Sequence, residues 1–281
     1  DAWSLPIDTR PLLRVGVIAE RDAAALAPDS PALLSPAQWL ALALRPGEQQ
    51  PIQIVPLDST ALDPSRLAGL DAVWVLQPDR VDAQGWGRLG AYARAGGLVG
   101  VTPPARAGAH TWPDAMTEGL GLSWTLPREA KTLDPASPTG ARGRILSAPP
   151  SDAQGERDVL AAVRGELPEL TSSVQVVRVL APQPLPGARD LGDATVLLAL
   201  DDGSPLVVVD RPGATGGTGA AGAGNAGTPP GSAGAPPRGV VVYLSTALSL
   251  DWTDLPAKPL MVPLMQELVR QGLSRALPPL R

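Results

Sequence analysis

Residues Asp71–Pro104 read DAVWVLQPDRVDAQGWGRLGAYARAGGLVGVTPP, and this stretch decides the fold. Ala72-Val73-Trp74-Val75-Leu76 is a short continuous apolar run, the pattern of a strand buried on both faces. Gln77-Pro78-Asp79 ends it, because proline cannot donate to a central ladder. A helix is expected from about Asp82, whose carboxylate can cap the free N–H groups of the first turn. Trp86, Leu89 and Ala93 recur at i, i+3 and i+7 and share one inward face, with Arg88 and Arg94 off it. Gly96-Gly97 stops the helix, since glycine enters the left-handed conformation without steric cost. Leu98-Val99-Gly100-Val101 then begins a second buried strand, which completes a β-α-β unit.

Upstream, the same alternation repeats. Arg14–Ala19 is an apolar strand that leaves into the polar loop Glu20-Arg21-Asp22. Ser35-Pro36-Ala37-Gln38 is a helix start, with Ser35 as cap, Pro36 at the first helical position and Gln38 closing a capping box. Ile52–Val55 is a third strand, and Asp63-Pro64 opens a short helix. Strands and helices alternating in this way predict a doubly wound, flavodoxin-like layer.

Downstream the periodicity weakens. Residues 103–150 are rich in proline and are expected to form loops with a turn or two. Ser151–Arg164 is expected as a helix and Val174–Leu180 as a strand. Ala194–Leu200 and Pro205–Val209 flank Asp202-Gly203 and predict a β-hairpin. Residues 212–238 are Gly, Ala and Pro with almost no side chain able to pack, so they predict a flexible insertion. They lack the lysine and the strand-to-helix setting of a phosphate loop. Gly239–Leu244 resumes as a buried strand. Pro259–Gly272 is the last helix, its apolar face made by Leu260, Met261, Leu264, Met265, Leu268 and Val269. The expected fold is α/β: a three-layer sandwich with a flavodoxin-like, mostly parallel sheet and an antiparallel extension within residues 174–244. Residues 1–281 are expected to form one domain with the 212–238 insertion inside it.

The 281 residues carry 44% hydrophobic and 18% charged side chains, a composition that supports a packed core. A net charge of −5 argues against a nucleic-acid partner, which selects a basic face. No window has the roughly 18 consecutive apolar residues of a membrane helix, and the opening residues do not read as a signal peptide, since no basic start followed by an apolar block is found there. It begins at Asp1, which is read as a segment of a longer protein. The absence of cysteine removes disulfides, thiolate metal sites and cysteine nucleophiles together. With a single histidine, His110, the usual zinc ligand set cannot be filled. No metal or cofactor is expected.

Candidate binding residues follow from position. Glu20, Arg21, Asp22, Gln77, Asp79 and Thr102 lie just past the carboxyl ends of expected parallel strands, the edge at which open α/β sheets bind ligands. Their plainer role is that of polar loop residues. His110, in AGAHTWPD, lies near Asp114, but no G-x-S-x-G elbow supplies a serine for a triad; otherwise it packs a loop. Asp251-Trp252-Thr253-Asp254 sets two carboxylates around an indole, which suits a pocket wall or partner contact, or else a helix cap with a packed tryptophan. Asp201-Asp202 is sufficiently explained as a hairpin turn.

Two blocks carry a resemblance. Asp71–Pro103 resembles the strand, helix, Gly-Gly, strand block of glutamine-amidotransferase-like domains. GSPLVVVDR (Gly203–Arg211) and GVVVYLSTALSLDWTDLPAKPLMVPLMQELVR (Gly239–Arg270) resemble the C-terminal block of the membrane-anchored Bat-type, or aerotolerance-regulator, branch of those domains. The resemblance covers residues 12–104 and 194–273. It implies a cell-membrane protein of which this segment is extracytoplasmic (periplasmic), anchored through spanning segments outside the chain. It further implies partners among other membrane or periplasmic proteins of the same system. Catalytic amidotransferases place a cysteine at a strand-to-helix elbow, whereas here Val101 runs into Thr102-Pro103-Pro104. The leading expectation is therefore a non-catalytic interaction or ligand-binding module. Two alternatives are a hydrolase or amidotransferase-like enzyme with an unrecognised nucleophile, and a carbohydrate- or peptide-binding sensor whose tryptophan loops stack on ligand.

Overall fold

A computed structural model describes residues 12–20, 34–45, 52–106, 110–133, 143–147, 160, 163–212 and 239–276. The first half contains β1 (Leu13–Ile18), α1 (Pro36–Leu44), β2 (Ile52–Leu57), α2 (Pro64–Leu67), β3 (Ala72–Val75), α3 (Ala83–Arg94) and β4 (Leu98–Val101). A single 3-10 turn, Pro78–Arg80, joins β3 to α3. Then come α4 (Pro113–Leu120), β5 (Trp124–Thr125), β6 (Lys131–Thr132), β7 (Ile145–Ser147), α5 (Leu167–Ser172), β8 (Arg178–Val179) and β9 (Gln183–Pro184). The chain closes with β10 (Thr195–Leu200), β11 (Pro205–Asp210), β12 (Val240–Leu244) and α6 (Met261–Ala276).

The central sheet has eight strands in the order β2-β1-β3-β4-β12-β11-β10-β7. The first five are mutually parallel, and β11, β10 and β7 extend the sheet in antiparallel fashion. The parallel half has the flavodoxin-like order, and the chain reverses its winding direction between β1 and β3.

Local chemistry accounts for these elements. Ser35 and Gln38 form the reciprocal capping box at α1, with Gln38 N–H donating to Ser35 Oγ at 3.3 Å and Ser35 N–H to Gln38 Oε1 at 2.8 Å. Asp63 caps α2 and Asp82 caps α3 through the Ser65 and Gly85 N–H groups. The α3 helix ends where Gly96 takes φ 105°, a conformation open to glycine and strained for other residues. Strand alternation then divides the core into two layers. Trp74, Leu98, Val242 and Leu244 face α1 and α6, while Val73, Val75, Val99 and Val101 face α3 and α4. Gly100 has no side chain because the Trp74 ring lies 2.5 Å from where a Cβ would stand. Gly90 and Gly119 likewise let the backbones of α3 and α4 meet, since a Cβ on Gly90 would strike the Gly119 carbonyl.

The three-layer α/β expectation holds, with several differences in the second half. Residues 103–150 contain a true helix, α4, as well as loops; Pro113 starts it and Gly121, at φ 67°, ends it. The antiparallel extension recruits β7 from that region, while β12 joins β4 in parallel. Val174–Leu180 does not form a long strand of the central sheet. Only β8 is regular there, paired with β6 in a two-stranded sheet. The helix expected over 151–164 falls mostly outside the described residues, as do residues 213–238 of the insertion.

Candidate functional site

A cleft with about 120 Å³ of space opens at the carboxyl ends of β1, β3 and β4. It sits where the order of strands reverses, the usual ligand position in open α/β sheets. Ala19 and Glu20 enter it from β1, Gln77, Asp79 and Arg80 from the turn after β3, and Pro104, Ala105 and Arg106 from the loop after β4. The amino end of α1, at Ser35-Pro36-Ala37, forms the remaining wall.

Charge among the described lining residues of the cleft is balanced. One carboxylate oxygen, Glu20 Oε1, lies 3.9 Å from Arg80 Nη2 and 3.6 Å from Arg106 Nη2. These side chains are well exposed, at 40%, 58% and 89% respectively, so the pairs contribute little to stability. Gln77 turns its Oε1 into a buried position where it completes no hydrogen bond among the described residues.

The structure brings Glu20, Gln77 and Asp79 together in the lining of this cleft. Arg21 and Asp22 fall outside the described residues. Thr102 is fully buried, and its hydroxyl donates to the Pro103 carbonyl at 3.3 Å. It therefore lies behind the cleft, and the solvent-facing role expected of it is not seen. His110 is likewise interior, 4% exposed, edge-on to Trp112 with ring centres 6.0 Å apart. Its backbone N–H donates to the Arg128 carbonyl, and Nε2 completes no hydrogen bond among the described residues. Burial lowers its pKa, with Asp79 opposing that shift. Asp114 pairs with Arg128 at 3.3 Å, so the His110–Asp114 pairing considered for a triad does not form.

The Asp251–Asp254 segment is structural for the most part. Trp252 is fully buried and its Nε1 donates to the Ala105 carbonyl at 2.9 Å, which fastens the cleft loop from behind. Asp254 accepts the Gln175 N–H at 2.7 Å and pairs with Lys258 at 3.1 Å. Asp251 is exposed and does not line the cleft. Asp202, at the hairpin tip, accepts from Ser204 N–H and from Lys131 Nζ, consistent with a turn.

A wider groove of about 320 Å³ lies at the opposite edge of the sheet, but its polar groups are engaged in the fold. Asp71 Oδ2 accepts the Arg14 N–H at 2.8 Å and Tyr92 donates to the Leu70 carbonyl at 3.1 Å. Among the described residues no cluster of three or more His, Asp or Glu side chains is placed to hold a metal ion.

Arg80 and Arg106 were missed in the sequence. Both follow strand ends, so the rule that selected Glu20 and Asp79 also reaches them. Their meeting on one carboxylate, by contrast, depends on the fold.

No protein-family model matches the chain, and no curated protein matches it. Solved structures do resemble it. The cold-adapted beta-galactosidase from Rahnella sp. R3 aligns with 92% of this chain and 31% of its own, at 14% identity and a TM-score of 0.52. The mmIFT52 N-terminal domain aligns over 95% of this chain and 99% of its own, at 10% identity and a TM-score of 0.51. The beta-galactosidase from the Antarctic haloarchaeon Halorubrum lacusprofundi aligns with 93% of this chain and 30% of its own, at 18% identity and a TM-score of 0.47. The chain thus spans about a third of the length of the galactosidases it matches. At these identities the likeness concerns the α/β fold alone.

Proposed function

We propose that this chain is a non-catalytic, extracytoplasmic binding module of a membrane-anchored Bat-type protein, built on an amidotransferase-like scaffold and binding through the cleft at the carboxyl edge of its sheet. One observation carries the reading. Where an amidotransferase elbow would present its nucleophile, β4 runs into Thr102, whose hydroxyl is buried and turned onto the neighbouring Pro103 carbonyl. The sole imidazole is sealed against Trp112. A nucleophile and base working together need to be within about 2.6–3.2 Å of each other, and no such pair involving His110 is formed among the described residues.

The binding half of the proposal is supported by the open charged cleft at the strand switch point. The membrane and periplasmic assignment, and the partners it implies, rest on the resemblance of Gly203–Arg211 and Gly239–Arg270 to the Bat-type block. No helix of the described residues is long and apolar enough to cross a membrane, so the anchor would lie in flanking segments. A carbohydrate-stacking role finds less support, because Trp39, Trp74, Trp86, Trp112, Trp124 and Trp252 are all buried.

The direct test is intact-mass analysis after exposure to a serine-reactive phosphonate probe. No stoichiometric adduct is expected. Labelling of one hydroxyl residue that disappears in His110→Gln would make the chain an enzyme. Protease accessibility of the chain in spheroplasts that produce the full-length protein and keep an intact inner membrane tests the location; complete protection there would contradict it.

A further inference from the structure

We propose that the cleft between β1 and β3 takes the carboxylate of a small organic acid, held between Arg80 and Arg106, and that Glu20 occupies the same place when the cleft is empty. This rests on the binding-module reading above and names the ligand class.

The geometry around Glu20 is that of attraction without commitment. Its Oε1 is 3.9 Å from one guanidinium and 3.6 Å from the other, beyond the roughly 2.7–2.9 Å of a charge-assisted hydrogen bond. Each guanidinium presents five N–H donors in a planar fork that matches a carboxylate in bidentate fashion. Neither side chain is claimed by another acidic residue among the described residues. The two arginines reach the cleft from different strand ends, and the loop carrying Arg106 is fixed by the Trp252–Ala105 hydrogen bond.

Charge and size narrow the ligand. Among the described lining residues Arg80 and Arg106 are balanced by Glu20 and Asp79, so a monoanion that displaces Glu20 keeps that balance, while a dianion leaves a net negative charge. The 120 Å³ of space is well below the roughly 300–1,000 Å³ of sites that engulf drug-sized ligands. The ligand therefore enters by its carboxylate end, and the rest of it remains at the mouth.

The test is an amide chemical-shift titration of the 281-residue chain with sodium acetate at fixed ionic strength, with inorganic phosphate in a parallel arm. Acetate is expected to shift the Ala19, Gln77, Arg80 and Ala105 amides to saturation, and phosphate to act only at higher concentration. Glu20→Gln should lower the acetate midpoint by about two- to fivefold, the scale of releasing an exposed ion pair. The double variant Arg80→Gln/Arg106→Gln should lose saturation while keeping the parent melting temperature, since both residues are surface-exposed. The proposal is overturned if acetate does not saturate, if phosphate binds more tightly, or if Glu20→Gln leaves the midpoint unchanged or raises it. Those results leave the non-catalytic reading standing, because that reading falls only on evidence of catalysis: hydroxyl labelling by the probe or glutamine turnover above buffer.

Discussion

The indole of Trp252 donates to the carbonyl of Ala105 at 2.9 Å across 147 positions of sequence, and so ties the segment before α6 to the rim of the cleft. The other buried indoles, Trp39, Trp74, Trp86, Trp112 and Trp124, complete no side-chain hydrogen bond among the described residues. Trp252→Phe retains an aromatic ring and removes the donor, leaving the Ala105 carbonyl without this partner. A loss of about 0.5–1.5 kcal/mol is expected from that bond, together with amide shifts at Ala105 and Arg106. Urea unfolding and a two-dimensional amide spectrum measure both. Unchanged cleft-loop amides would mean that the loop is held by other contacts.

The final helix is core. Leu264 and Leu268 are fully buried and lie in the same core layer as the β12 side chains Val242 and Leu244. Leu264→Ala or Leu268→Ala should cost about 2–5 kcal/mol, the range for a buried leucine replaced by a cavity. A denaturation midpoint within error of the parent would place α6 outside the cooperative core.

His110 should titrate below the ordinary histidine value of 6.5, because burial disfavours the imidazolium more than Asp79 favours it. In the folded chain the proton is bound less readily than in the unfolded chain. Its contribution to stability is therefore full above about pH 6.5 and declines as pH falls towards the lowered folded value. As the sole histidine, it gives a single imidazole signal, which an NMR titration follows directly. A midpoint at or above 6.5 would contradict the sealed placement.

Asp210, at the end of β11, carries the opposite sign. It is 4% exposed, and burial raises its pKa above 3.8, opposed by the Arg211 N–H and by the nearby polar groups of Trp124 and Ser123, which stop short of a completed hydrogen bond to it. Its Oδ1 accepts from Arg211 N–H, while Oδ2 completes no hydrogen bond among the described residues. The unfolded carboxyl ionises first as pH rises, so this group lowers stability progressively between 3.8 and its raised folded value. Asp210→Asn removes the ionisation and should raise the melting temperature at neutral pH relative to the parent, with the difference shrinking in acid. A destabilised Asp210→Asn at pH 7 would show that the carboxylate is satisfied.

The parallel half of the fold was legible because its signals are local. Asp82, Ser35 and Gly96 act within one turn of the helices they bound, and the apolar runs of β3, β4 and β12 admit only burial on both faces. The middle was not legible for the opposite reason. β7 is three residues long and is defined by pairing with β10 some fifty residues later, and α4 begins at a proline within a proline-rich stretch. The same division applies to the site. Strand-end position found Glu20, Gln77 and Asp79, whereas the burial of Thr102 and His110 and the fastening of Ala105 by Trp252 are tertiary facts without a local signature.

Ammonia release from glutamine tests most directly the proposal that this chain carries an amidotransferase-like scaffold without the chemistry. If the covalent step is missing, as proposed, the purified chain releases ammonia at the rate of buffer across neutral pH. Turnover above buffer that is lost in His110→Gln, with folding intact, would contradict the account.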